Sequence, residues 1–196
     1  MKTIVRRLLD SRAVLALVLA LTLGSNTSAN AEPTRYKAVL NGESVEPPTP
    51  STGTANAVVE IDPVAHTMYV FVDFALMGIT LQAHLHAPTD VPLSGLAGAA
   101  TTTPTLPDFP FALSFDSYEK TLDMTQESNY SPEFLAANGG TAAAAEAALF
   151  AAIAEGRVYI DIHTDVYPDG EVRGFLTQNN TPTENVTWGK VKTLYR

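Results

Sequence analysis

Apolar positions through the middle of the chain recur every second residue, the period of β-strands, rather than every third or fourth. Between Thr67 and Leu76, Met68, Val70, Val72 and Phe74 share one face, while Tyr69, Phe71, Asp73 and Ala75 share the other. Two largely apolar faces predict a central strand covered on both sides. Thr52 to Ile61 reads as a strand of small residues, with Asp62-Pro63-Val64-Ala65 as the turn between the two. Tyr36 to Leu40 predicts an earlier short strand ending at Asn41-Gly42. Glu46-Pro47-Pro48-Thr49-Pro50 is excluded from any central strand, because proline has no ladder donor. After Gly78 the alternation resumes, with Leu81, Ala83, Leu85 and Ala87 opposite Gln82, His84 and His86. Thr89 to Pro110 is rich in Gly, Pro, Ala and Thr without a period, which predicts a long loop of the functional or mobile kind. Phe111 to Phe115 gives a further short strand.

One stretch departs from this pattern. Ser131 is placed to cap a helix starting at Pro132, and Asn138-Gly139-Gly140 interrupts it. Thr141 to Glu155 then predicts the one strong helix, capped by Thr141, stopped by Gly156, and carrying an apolar stripe of Ala145, Leu149, Ala152 and Ile153 that covers a sheet edge. Arg157 to Thr164 and Glu171 to Thr177 flank a Pro168-Asp169-Gly170 turn and predict a hairpin. Val158, Ile160 and Ile162 point inward from its first arm, and Tyr159, Asp161 and His163 point the other way. Six to eight short strands with one short helical excursion make an all-β chain, an antiparallel β-sandwich.

The ends of the chain change the picture. Lys2, Arg6, Arg7 and Arg12 precede an apolar run from Ala13 to Leu23, and Ala29-Asn30-Ala31 supplies the small-residue pattern of a cleavage site. The run is about half of the ~20 residues that span a bilayer, so 1–31 reads as a signal peptide and the mature chain has no transmembrane segment. The expected destination is secreted or periplasmic. One domain occupies 32–178, and a polar linker and tail follow at 179–196. Removing the leader, with four basic residues and Asp10, takes the formal charge from −9 to −12. A surface this acidic argues against nucleic acid as a partner and is compatible with handling cations. The chain has no cysteine, which excludes thiolate catalysis, zinc ribbons and iron–sulfur clusters.

Candidate chemistry rests on histidine. Side chains alternate along a strand, so His84 and His86 project from one face as a chelating pair, and His163 on the hairpin is the third candidate ligand. Imidazole without thiolate favours copper or zinc. Asp161 and Gln82 share those faces as further ligands or as acceptors that fix the histidine tautomers. The competing structural reading has the three histidines bonded to loop backbone, with His163 at the hairpin turn. His66 reads as an ordinary turn residue. Arg173 is expected to pair across strands with Asp161 or Glu171. The Gly-containing segment Ser94 to Gly98 reads as a plain connection.

Three segments carry a family resemblance: Leu40-Asn41-Gly42-Glu43-Ser44-Val45-Glu46-Pro47-Pro48, Ala83-His84-Leu85-His86-Ala87-Pro88, and Val158 to Thr164 continuing into Pro168-Asp169-Gly170-Glu171-Val172-Arg173-Gly174. The chain resembles the CHRD (chordin) domain family, of the bacterial exported type, from about Tyr36 to Thr177. The resemblance implies an immunoglobulin-like β-sandwich in a secreted protein and implies little about activity. A fainter similarity is to copper–zinc superoxide dismutase, which also uses His-x-His on a strand. The chain departs from it in lacking the histidine-rich zinc loop and the structural disulfide, and Arg173 near a metal rests on that analogy alone. Three functions follow as expectations: a non-catalytic copper- or zinc-binding module using His84, His86 and His163; a protein- or glycan-interaction domain without metal; and a dismutase-like copper redox enzyme.

Overall fold

In the computed structural model, which describes residues 32–178, eight strands join by antiparallel pairing into one sheet. The expected leader at 1–31 and tail at 179–196 lie outside the described residues. The strands are β1 (Thr34–Asn41), β2 (Thr54–Asp62), β3 (Thr67–Ala75), β4 (Thr80–His86), β5 (Phe115–Asp123), β6 (Tyr159–Thr164), β7 (Val172–Phe175) and β8 (Thr177–Gln178). Two helices, α1 (Pro132–Ala137) and α2 (Ala142–Ala154), separate β5 from β6. The order across the sheet is β4-β6-β7-β1-β2-β3-β5, with β8 also on β1. β7 and β8 follow β1 in one register, Asn41 opposite Arg173 and Lys37 opposite Thr177. Gly174 makes this approach possible, since a Cβ there would lie 2.4 Å from the Val39 carbonyl oxygen.

The sheet curls, and the inward faces of its two halves share a single apolar core. β1, β2 and β3 contribute Leu40, Val59, Met68, Val70 and Val72, while β4 and β6 contribute Ala83, Leu85, Ile160 and Ile162. α2 lays Ala145, Leu149, Ala152 and Ile153 into the same core, and its Thr141 hydroxyl accepts from Ala144 N–H. Ser131 caps α1 in the same way, accepting from Phe134 N–H. The chain is thus mostly β and antiparallel with few helices. No helix among the described residues is long and apolar enough to cross a membrane.

Some elements differ from the sequence expectation. The outer face of β3 is not covered, and Tyr69, Phe71 and Asp73 stay half-buried. Their polar groups are met by neighbouring strands, as where Asn56 donates to Asp73 at 2.8 Å. The strand expected at Phe111 to Phe115 is instead an irregular approach to β5, where Ala112 adopts φ 60° and Phe111 and Phe115 are exposed. The true strand buries only Tyr118 and Leu122, and Lys120 between them reaches the Asp108 carboxylate, so its period is masked.

The segment from Thr89 to Pro110 is long but anchored. β4 is the first strand in the sheet order, and this segment runs along its otherwise open side. Leu106 N–H donates to Ala83 O, Ala100 N–H to Leu85 O, and Ala87 N–H to Gly98 O. Thr105 and Thr101 hydroxyls accept from Ala83 N–H and Leu85 N–H. The outward peptides of Ala83, Leu85 and Ala87 are therefore bonded on this side without a ninth strand.

Candidate metal centre

Strand register assembles the site. His84 lies opposite Asp161, His86 opposite Tyr159, and Gln82 opposite His163 across the β4/β6 pair, so the side chains that alternate outward from both strands meet on one face. That face is enclosed by the 94–105 segment, which leaves His84 and Asp161 buried at 5% and 6% exposure.

Each histidine uses one ring nitrogen on a backbone carbonyl. His84 Nε2 donates to Pro104 O, His86 Nδ1 to Ala97 O, and His163 Nδ1 to Pro168 O, each at 2.8 Å. A carbonyl oxygen only accepts, so these bonds fix the tautomers and leave His84 Nδ1, His86 Nε2 and His163 Nε2 as lone pairs in the neutral rings. The three free nitrogens converge on Asp161: His86 Nε2 is 3.1 Å from Oδ1, His163 Nε2 is 3.3 Å from Oδ2, and His84 Nδ1 is 3.9 Å from Oδ1. His84 Nδ1 and His163 Nε2 are buried without any hydrogen-bond partner. One ligand atom from each of the four residues falls within 4.8 Å of all the others. A tetrahedral ion with 2.0–2.1 Å bonds sets its ligand atoms about 3.3 Å apart, close to the His86 and His163 distances at Asp161 and shorter than that of His84.

The electrostatics agree with that geometry. Three lone pairs facing a carboxylate repel one another unless protons or a cation stand between them. Burial alone would raise the Asp161 carboxyl, but His163 and His86 beside it together hold it below the ordinary carboxylate range. Burial lowers His84 from its ordinary value. Burial would lower His163 too, but Asp161 outweighs it and the ring ends raised. The cluster is therefore a set of nitrogens competing for a positive charge that Asp161 attracts.

The surrounding residues sit differently from expectation. Gln82 shares the face, but its amide bonds to none of the four. Arg173 pairs with neither Asp161 nor Glu171; its nearest carboxylate is Glu46, at 3.8 Å, and its guanidinium lies 4.3 Å from the Tyr159 ring centroid. Glu171 is fully buried elsewhere, accepting from Ser51 Oγ, Met77 N–H, Gly78 N–H and Thr164 Oγ1. Tyr159 stacks on His86 with ring centroids 4.7 Å apart. Ser94 to Gly98 is more than a connection, because Ala97 O accepts from both His86 and Tyr159, and Gly95 O accepts from Arg173. His66 stands apart from the cluster, with φ 55° and Nδ1 2.9 Å from the buried Glu146 carboxylate of α2.

A family model for the CHRD domain matches residues 36–176. The chain belongs to the CHRD family. The match runs from β1 to the end of β7, and all four residues of the cluster lie within it. No curated protein and no solved structure matches the chain.

Proposed function

We propose that this CHRD protein is an exported, non-catalytic metal-binding module that holds one copper or zinc ion through His84, His86 and His163, with Asp161 as the fourth ligand. One observation carries the reading: each histidine spends one nitrogen on a fixed carbonyl and turns the other toward the same carboxylate. Carbonyl-held imidazoles are how proteins orient metal ligands. Three nitrogens and one oxygen, with no thiolate, suit Cu(II) and Zn(II) rather than Ca(II) or an iron–sulfur cluster. When bound, the ion supplies the positive charge that neutralises Asp161. His84, His86 and His163 orient it, and the 94–105 segment keeps water from the buried side.

Backbone bonding of the histidines, the competing reading at sequence level, accounts for only half of their nitrogens. Export rests on the basic and apolar composition of 1–31, with 32–178 as the mature domain and a secreted or periplasmic destination. We further infer that the curl brings the two sheet halves together as an immunoglobulin-like sandwich, as the family resemblance implies. Elemental analysis of the purified protein followed by calorimetric titration with Zn(II) and Cu(II) tests the function. One ion per chain is expected, with loss of binding in His84→Ala/His86→Ala. Undiminished binding in that variant sinks the proposal. Superoxide turnover above that of free copper would instead favour the redox enzyme.

A further inference from the structure

A pocket of about 130 Å³ opens on the same face beside the cluster. His86, Asp161 and His163 form one wall and Glu46 and Arg173 another. Arg173 is 5% exposed, yet much of its hydrogen-bonding capacity is idle. Nη2 donates to Gly95 O at 2.9 Å, whereas Nε and Nη1 are buried and have no partner. Glu46 Oε2, 3.8 Å from Nη1, is beyond hydrogen-bond reach. The guanidinium rests against Tyr159 and Phe175, at 4.3 and 5.0 Å from their ring centroids, and both contacts favour its present position. Buried charged donors are almost always satisfied, and an arginine whose Nε and Nη1 carry three N–H groups without an acceptor marks where one belongs.

We propose that this pocket is a subsite for a short-chain carboxylate, bound to Arg173 next to the metal. The charge of the walls sets the class. Arg173 offers one positive charge, and the divalent cation of the metal reading above offers two more. Glu46, Asp161 and Asp169 line the same space; with Glu46 displaced by the ligand, one net positive charge is left, which a monoanion balances and a dianion such as phosphate exceeds. The size sets the length: a cavity of roughly 150 Å³ holds a benzene-sized ligand, so this pocket takes a carboxylate with a few carbons. Val45 and Leu96, also in the lining, give an alkyl group apolar surface to rest on. Glu46 places its own carboxylate nearest to Nη1 and is the internal competitor that such a ligand displaces.

Calorimetric titration of the full chain with sodium acetate, with and without zinc, tests the subsite. Saturable binding is expected in the zinc-loaded protein. Arg173→Lys, which replaces a fan of donors by one ammonium, should weaken it about tenfold. Glu46→Gln, at an exposed side chain that does not endanger folding, should strengthen it about threefold by removing the competitor. No saturable binding, equal affinity in Arg173→Lys, unchanged affinity in Glu46→Gln, or tighter binding of inorganic phosphate each overturns the proposal. Zinc affinity is read separately in the same proteins. A chain that takes zinc but not acetate keeps the metal reading and loses this one. A chain that takes no zinc but binds acetate through Arg173 does the reverse.

Discussion

Metal loading should raise the thermal midpoint of this protein, and Asp161 should set by how much. An ion that binds only the folded chain stabilises it by about 2.7 kcal/mol when free metal is a hundred times the dissociation constant. The described domain has 147 residues, 32 to 178. At about 2.1 cal/mol/K of unfolding entropy per residue, that is roughly 0.3 kcal/mol/K, so the midpoint should rise by roughly 9 °C. Asp161→Asn keeps the shape and one oxygen but removes the charge on which His84, His86 and His163 converge, within 3.1 to 3.9 Å. A tenfold loss of affinity would cut the gain to about 1.4 kcal/mol at the same metal concentration and halve the rise. Differential scanning fluorimetry with Zn(II) and Cu(II) measures both shifts, with His84→Ala/His86→Ala as the baseline for binding to unfolded histidines. A midpoint indifferent to metal, or an equal rise in Asp161→Asn, refutes the reasoning.

Two further outcomes are expected. Without metal, the site's contribution to stability should peak near pH 6.5, the ordinary histidine value from which both shifts are reckoned. Below it, the unfolded chain takes a proton that buried His84 resists; above it, His163, whose folded value is raised, gives up a proton that the fold favours. Urea titrations from pH 5 to 8 check this, and a His163→Gln variant that keeps the alkaline decline contradicts it. Glu171→Ala should cost about 3–5 kcal/mol in urea unfolding, because it strands the Met77 and Gly78 N–H groups and two hydroxyls in the interior. A loss under about 1 kcal/mol would show that the neighbours satisfy themselves.

Much of the sheet was legible because burial on one face imposes a period of two. β2, β3, β4 and β6 all keep that period, and the caps at Ser131 and Thr141 sit where their side chains can reach the first helical N–H groups. β5 escaped because Asp116 and Lys120 occupy its inward phase and Phe115 points out. The three histidines and Asp161 could be assigned to strand faces from alternation alone. Their convergence could not, since it depends on β4 lying next to β6 in a register that sets His84 against Asp161, a pairing between segments 77 residues apart. The carbonyls of Ala97, Pro104 and Pro168 left no signal at all, because every residue carries a carbonyl and only the path of the loop decides which one meets a ring. Arg173 and Glu46 likewise meet only through the fold.

The segment along β4 ties together two properties that most proteins can vary separately. Its hydrogen bonds close an edge on which another chain could otherwise polymerise by strand addition. Its Ala97 and Pro104 carbonyls also decide which nitrogens of His86 and His84 are free. Evolution or engineering that reshapes this loop to change the ion's coordination therefore risks self-association at the same stroke. Under the proposed metal function, metal preference and colloidal behaviour in this domain change together.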